Sequence, residues 1–220
     1  MRKFSKHDVK KRRFTNCKSS EMRIERMNVR MQKVSTKKIV VIAMLTALTV
    51  VFGVTPNVGF IQLPLIKATI MHLPVIIGAI VAGPVVGSVI GLMFGLFSIV
   101  QNAPMPAAMS PFLLNPLVSV LPRVLIAITS YYTYRALRKQ NDILAIGAGA
   151  VIGSLTNTIG VLGMIYILYA QQFAMTRSVP VQAVGGVILG IASTNGIIEA
   201  TVALVLCTPV VYAVKKIYNA

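Results

Sequence analysis

The sequence FLLNPLVSVLPRVLIAITSYYTYRALRK runs from Phe112 to Lys139 and is apolar for most of its length. A helix needs roughly 20 apolar residues to cross the ~30 Å hydrocarbon layer of a bilayer, so this stretch predicts a membrane span. Arg123 lies near the predicted midplane, where a cation costs roughly 2.5 to 3.5 kcal/mol and usually faces a bundle interior or a polar cavity. Its helical row also carries Asn115, Ser119 and Tyr131. We therefore predict that other spans surround this polar face.

The composition of the chain is that of a multi-pass membrane protein. Of its 220 residues, 55% are hydrophobic, which is too many for a soluble domain of this size. The net charge of +17 arises mainly at the N-terminus, since 14 of the 22 Lys and Arg residues precede Ile39. Most of the others lie near the ends of apolar runs, as in membrane proteins with positive cytoplasmic loops. No aromatic interleaving or recognisable module favours nucleic-acid binding.

The chain divides into a basic tail, residues 1–38, and a transmembrane domain, residues 39–218. The tail has little to bury, and we predict a disordered cytoplasmic segment close to anionic lipid. Six predicted spans place both termini on one side of the membrane. Because the tail and the C-terminal cations Lys215 and Lys216 share that side, we predict a cell-membrane protein with both termini in the cytoplasm.

The spans are separated by short connections that contain proline and glycine. Residues 55–71 form a predicted loop between the first two spans, with Lys67 as its only charge. Gly83 and Pro84 form a tight turn between the second and third spans. The predicted spans cover residues 39–54, 72–82, 85–100, 112–139, 143–170 and 181–214.

Small residues recur at helical spacing in two of these spans. Gly87, Gly91 and Gly95 permit close approach of helix backbones, and we interpret them as structural. Ala43 and Ala47 lie four residues apart in the first span. This pair suits either packing inside the protein or contact with a helix of another membrane protein.

Polar residues on three different spans lie at a similar predicted depth. Counting 1.5 Å per residue from the cytoplasmic ends places Arg123, Asn157 and Glu199 about 18, 21 and 24 Å deep. Asn195 lies one turn further out, on the span that carries Glu199. So many polar groups at one level predict a cavity that opens to the outside.

Each of these residues also has a structural interpretation. Glu199 is the natural ion-pair partner of Arg123, and such a pair joins two spans. The asparagines can link helices by hydrogen bonds worth about 1 kcal/mol each. His72 begins a span and suits either a local helix cap or a lid contact. If Glu199 neutralises Arg123, Lys67 becomes the better anchor for an anionic ligand.

The sequence gives little support to catalysis or metal binding. Cys17 and Cys207 have no metal or redox spacing, and His72 and Glu199 are too few for a metal-hydrolase site. Ser154 with His72 lacks the motif of a nucleophile, and no Walker motif is present. We therefore predict no enzyme activity, no metal and no cofactor. A stand-alone small-solute transporter and a scaffolding membrane protein remain alternatives.

Five stretches carry a resemblance to a known family. They are the Ala43-x-x-x-Ala47 pair, residues 55–96, FLLNPLVSVLPRVLIA around Arg123, SLTNTIGVLG around Asn157 and TNGIIEA around Glu199. Together they resemble the substrate-binding S components of energy-coupling factor (ECF) vitamin transporters over residues 35–216. The resemblance implies an all-α bundle of six transmembrane helices that captures a vitamin from outside. It also implies docking through the first helix, at Ala43 and Ala47, onto a shared transmembrane T component with two ABC ATPase subunits.

Within this family, the chain is most similar to the pantothenate-specific members. Pantothenate has one carboxylate, two hydroxyls, an amide and a gem-dimethyl group, which suit a cation, several amide side chains and an apolar wall. Folate and riboflavin remain alternatives, although the absence of Trp disfavours flat ring systems.

The resemblance and the polar residues together predict the binding site. Lys67 or Arg123 holds the carboxylate, and Glu199 orients Arg123 or accepts a ligand hydroxyl. Lys67 and His72 belong to a loop that acts as a lid. The predicted hydrogen-bond partners of the hydroxyl and amide groups are Asn115, Asn157 and Asn195.

Overall fold

Apolar helices dominate the computed structural model of the chain. The structure describes residues 36–55, 60–63, 66–103 and 110–219. Side chains are described for residues 36–55, 69–103 and 111–216. Residues 1–35 of the predicted tail lie outside the described residues. Residues Val40–Ala220 form one compact unit. The helices are α1 (Thr36–Val54), α2 (Leu73–Ala82), α3 (Pro84–Asn102), α4 (Ser110–Leu113), α5 (Pro116–Leu137), α6 (Asp142–Arg177) and α7 (Val184–Asn219), and a 3-10 turn, Val181–Ala183, precedes α7.

Five helices in the described part of the chain are long and apolar enough to cross a membrane, namely α1, α3, α5, α6 and α7. The prediction of a multi-pass helical protein is therefore confirmed. The remaining predicted span, α2, has ten residues. At 1.5 Å per residue it covers about 15 Å, half of the hydrocarbon layer, so it is too short to cross alone.

The connection between α1 and α2 contains a β-hairpin rather than the predicted loop. Strands β1 (Phe60–Leu63) and β2 (Ile66–Thr69) are antiparallel, with Phe60 opposite Thr69 and Leu63 opposite Ile66. The prediction of a loop is wrong here, because proline and glycine flank the two short strands without interrupting them. Phe60 and Ile61 in β1 and Ile66 and Thr69 in β2 are of residue types that favour strands.

Helices α5 and α6 differ from their predicted limits for local reasons. Helix α5 begins at Pro116 rather than Phe112, because Asn115 is its N-cap and proline suits the first helical position. Helix α6 continues past the predicted end at Ala170, with non-helical backbone angles at Tyr169 (φ −135°, ψ 21°). The predicted end therefore coincides with a kink instead of a terminus.

The glycine ladder of α3 packs against α5, which confirms its structural interpretation. A Cβ atom on Gly95 would lie 2.8 Å from the Cα of Val120. A Cβ on Gly91 would collide with the carbonyl oxygen of Arg123. The two backbones can approach this closely only because neither position carries a side chain. The predicted Gly83-Pro84 turn is also present, and Gly83 has the positive φ of 101° that glycine tolerates best.

Helices α5, α6 and α7 are joined at their shared end by a polar contact. Lys215 forms an ion pair with Asp142 at 2.6 Å. The hydroxyl of Tyr134 donates a hydrogen bond to the same carboxylate at 2.9 Å. One residue from each helix takes part, so this contact links the three helices that carry Arg123, Asn157 and Glu199.

Candidate functional site

A group of buried polar side chains lies between α2, α5, α6 and α7. His72 is fully buried at the start of α2, while Arg123 is 6% exposed and Glu199 is 5% exposed. These three side chains lie within electrostatic range of one another. Asn157 and Thr158 of α6 are also buried, and the hydroxyl of Thr158 contacts Glu199. We call His72, Arg123, Asn157, Thr158 and Glu199 the polar cluster.

Both carboxylate oxygens of Glu199 accept hydrogen bonds from threonines. Oε1 accepts from the backbone N–H and the hydroxyl of Thr69, each at 3.0 Å. Oε2 accepts from the hydroxyl of Thr158 at 2.8 Å. The predicted ion pair with Arg123 is not formed, and Lys215–Asp142 is the one ion pair among the described side chains. The carboxylate is satisfied by neutral donors, so it does not require the guanidinium as a direct partner.

Arg123 is held by a carbonyl group that a neighbouring proline leaves free. In a regular helix, the N–H of residue 122 would donate to the carbonyl of Val118, but Pro122 has no N–H. Nη1 of Arg123 donates to this carbonyl at 2.8 Å, and the guanidinium carbon lies 5.4 Å from the centre of the Phe94 ring. These contacts stabilise a buried cation without neutralising it. The positive charge therefore remains available to an anion.

Several buried polar atoms of the cluster have no hydrogen-bond partner within the described residues. They are both ring nitrogens of His72, Nε of Arg123 and Oδ1 of Asn157. An unpaired buried donor or acceptor costs about 1–3 kcal/mol, and folded proteins contain few of them. The unpaired set includes a cationic donor, an imidazole and an amide acceptor. It can therefore bind a small molecule that carries an anionic group and hydroxyl or amide donors.

The helix-cap interpretation of His72 is wrong, and its lid contact stays a prediction. His72 occupies the N-cap position of α2, but its side chain makes no capping hydrogen bond. Within the described part of the chain, neither ring nitrogen has a hydrogen-bond partner. This leaves the imidazole available to the cluster.

The remaining predicted site residues occupy other environments. Asn115 caps α5 by accepting from the N–H of Leu117 at 2.9 Å, and its amide donates to the hydroxyl of Tyr169 at 2.8 Å. Its polar atoms thus already have structural partners. Asn195 is half-buried one turn from Glu199. Lys67 lies in β2 opposite Gln62, and its side chain is outside the described ones.

Thr69 was missed by the sequence interpretation although it makes two contacts with Glu199. A weak signal was available. Thr69 lies two residues after Lys67, so in a strand the two side chains point to the same face. This periodicity holds only in a strand, and residues 55–71 were predicted to form a loop.

The first helix presents its alanine pair outward. Ala43 and Ala47 are both exposed, and the neighbouring Met44 is 67% exposed. The opposite side of α1 packs on the core through Val41, Ile42 and Leu45. Small residues at exposed positions of a helix allow another helix to approach closely. In the part of the chain that the structure describes, no three His, Cys, Asp or Glu side chains come together as a metal site.

The chain matches a known protein family and is similar to two named transporters. The family described as "ECF transporter, substrate-specific component" matches residues 37–212. The Pantothenic acid transporter PanT of Lactococcus lactis subsp. cremoris is 29% identical over 169 residues, which cover 70% of this chain and 81% of the relative. The Pantothenate transporter PanT of Leuconostoc mesenteroides subsp. mesenteroides is 25% identical over 180 residues, which cover 78% of this chain and 88% of the relative.

Proposed function

The chain belongs to the family of ECF transporter substrate-specific components, and from that premise we propose that it captures pantothenate at the polar cluster. Membership of the family confirms two sequence predictions, the S-component resemblance and the absence of enzyme activity. Two relatives are named as transporters of pantothenate, which supports the choice of vitamin.

The observation that carries this proposal is the buried, unpaired cation of Arg123. Its Nε has no partner among the described residues, and its only hydrogen bond in that part of the chain is to the Val118 carbonyl. The carboxylate of pantothenate is a matching acceptor, because hydrogen bonds between ionised groups are the strong ones. Lys67 is the second candidate for this role. We propose that His72, Asn157 and Asn195 bind the hydroxyl and amide groups of the vitamin.

The proposed arrangement in the membrane follows the charge pattern of the chain. We propose that α2 counts as the sixth, incomplete span and that both termini are cytoplasmic, since most Lys and Arg residues lie at that side. The site then opens to the outside. Delivery would follow docking on a transmembrane T component that is joined to two ABC ATPase subunits. The exposed Ala43 and Ala47 of α1 are the proposed docking surface.

The test of this function is ligand identification on the detergent-solubilised full chain. We expect mass spectrometry to detect pantothenate in the purified protein, and added pantothenate to raise its melting temperature. Folate and riboflavin serve as competing ligands. If one of them raises the melting temperature and pantothenate does not, the proposed vitamin is wrong. Uptake by proteoliposomes that contain this chain alone would instead identify a stand-alone transporter.

We expect Ala47→Trp to prevent assembly with the T component while leaving pantothenate binding unchanged. The indole would project from an exposed position of α1 and keep a partner helix from close approach. Co-purification with the T component and the ATPases measures assembly, and calorimetry measures binding. Ile159→Trp is the matched control, because Ile159 is 61% exposed on α6. Normal assembly of the Ala47 variant would show that docking occurs elsewhere.

Asn115 and Asn157 are expected to respond differently to alanine. Loss of the α5 cap in Asn115→Ala should cost about 1 kcal/mol of stability, with pantothenate affinity nearly unchanged. Asn157→Ala should weaken binding about tenfold, because it removes an unpaired buried acceptor that we assign to the ligand. Thermal melting and calorimetry of both variants test this difference. A weaker affinity in the Asn115 variant alone would restore Asn115 to the binding site.

A further inference from the structure

The carboxylate of Glu199 joins parts of the chain that are distant in sequence. Its hydrogen-bond partners among the described residues are Thr69, at the end of β2, and Thr158, in the middle of α6. The partners are 130 and 41 residues away from it along the chain. Glu199 is 5% exposed, so water does not compete effectively for these hydrogen bonds. Helix α7 also packs on β2.

Thr69 begins the short connection that places His72 in the polar cluster. After Thr69 the chain turns at once, and the N–H of Leu73 donates to the carbonyl of Ile70 at 3.1 Å. Met71 and His72 are both buried in this turn. With only two residues between Thr69 and His72, a contact that fixes the backbone of Thr69 also limits where the imidazole can lie.

We infer that Glu199 is a positioning residue, which fixes the junction from Thr69 to His72 and thereby holds the imidazole of His72 in the binding site. This inference rests on the proposed function for the identity of the ligand. It gives Glu199 a role other than pairing with Arg123 or accepting a ligand hydroxyl. The carboxylate suits this role because it accepts from a backbone N–H and two hydroxyls at once, whereas the amide of glutamine has a single acceptor oxygen.

The test compares Glu199→Gln and Glu199→Ala in the detergent-solubilised full chain. Pantothenate affinity should fall about tenfold in the glutamine variant and about 100-fold in the alanine variant, because glutamine retains one acceptor. In the ligand-free protein, amide hydrogen exchange at residues 69–73 should accelerate about tenfold or more in the alanine variant. Thr156→Val is the control, since it removes a threonine contact between α6 and α5 that does not involve Glu199.

The two readouts separate the possible outcomes. Weaker pantothenate binding with unchanged exchange at residues 69–73 would mean that Glu199 contacts the ligand directly, which overturns the inference. Faster exchange in a chain whose parent does not bind pantothenate would support the inference and contradict the proposed vitamin. If the alanine variant does not fold, Thr69→Val serves instead, because it removes one of the two Thr69 donors. Unchanged exchange and affinity in that variant and in the glutamine variant would also overturn the inference.

Discussion

Arg123→Leu is expected to weaken pantothenate binding by at least about 100-fold. The substitution removes the buried cation that we assign to the carboxylate of the vitamin. Each hydrogen bond between charged partners contributes about 1.5–3 kcal/mol. Stability should change much less. The variant leaves the Val118 carbonyl unpaired, but it also removes the cost of keeping a charge in the interior. Calorimetry with pantothenate and thermal melting without it measure the two effects separately.

The matched control for this substitution is Arg177→Leu. Arg177 also lies over an aromatic ring, 5.9 Å from the centre of Phe173, but it is exposed near the end of α6. Its replacement should leave pantothenate affinity unchanged. Arg123→Lys should bind with intermediate affinity, because an ammonium group lacks the planar fork of a guanidinium. Full affinity in Arg123→Leu would transfer the anchoring role to Lys67, which Lys67→Leu would then test.

Gly91→Ala is expected to destabilise the protein by about 3 kcal/mol, because the added methyl group would overlap with atoms of α5. A Cβ at this position would collide with the carbonyl oxygen of Arg123 and lie 2.9 Å from its carbonyl carbon. Both are backbone atoms of α5, so the clash can be relieved only by separating two helices. Thermal melting and the monodisperse fraction in size-exclusion chromatography report the loss.

Gly190→Ala provides the control for the glycine substitution. A Cβ at Gly190 would have no neighbouring atom within 4 Å, and alanine favours the helix, so its stability should stay equal or rise slightly. Similar melting temperatures for the two variants would mean that α3 and α5 can separate without cost. Since Gly91 contacts the backbone of Arg123, a folded Gly91 variant should also bind pantothenate more weakly.

The features predicted correctly from the sequence are those that depend on local periodicity. Apolar length predicted six spans, and five of them are helices long and apolar enough to cross a membrane. Four-residue spacing identified the packing face of α3. Three polar residues that share a similar predicted depth are all buried, namely Arg123, Asn157 and Glu199. These properties follow from 1.5 Å of rise per residue and from the cost of polar groups in hydrocarbon, so a single sequence contains them.

The partners of the buried charges were not predictable in the same way. Opposite charge suggested that Glu199 pairs with Arg123, whereas the carboxylate is occupied by Thr69 and Thr158. The contact with Thr69 depends on the pairing of two four-residue strands and on the packing of one of them against α7. No local pattern encodes that arrangement. The cap formed by Asn115, in contrast, is indicated by the Asn-Pro pair in the sequence. The long apolar stretch around this pair favoured one continuous span instead.

Pro122 determines the conformation of Arg123 because it has no backbone N–H. A residue with a backbone N–H at this position would return the Val118 carbonyl to the helix ladder and compete with the guanidinium for it. The arginine side chain would then have no fixed attachment on its own helix and would be free to turn toward Glu199. An imino acid that has no backbone N–H to donate thus keeps the two opposite charges apart and preserves the cation for an incoming anion.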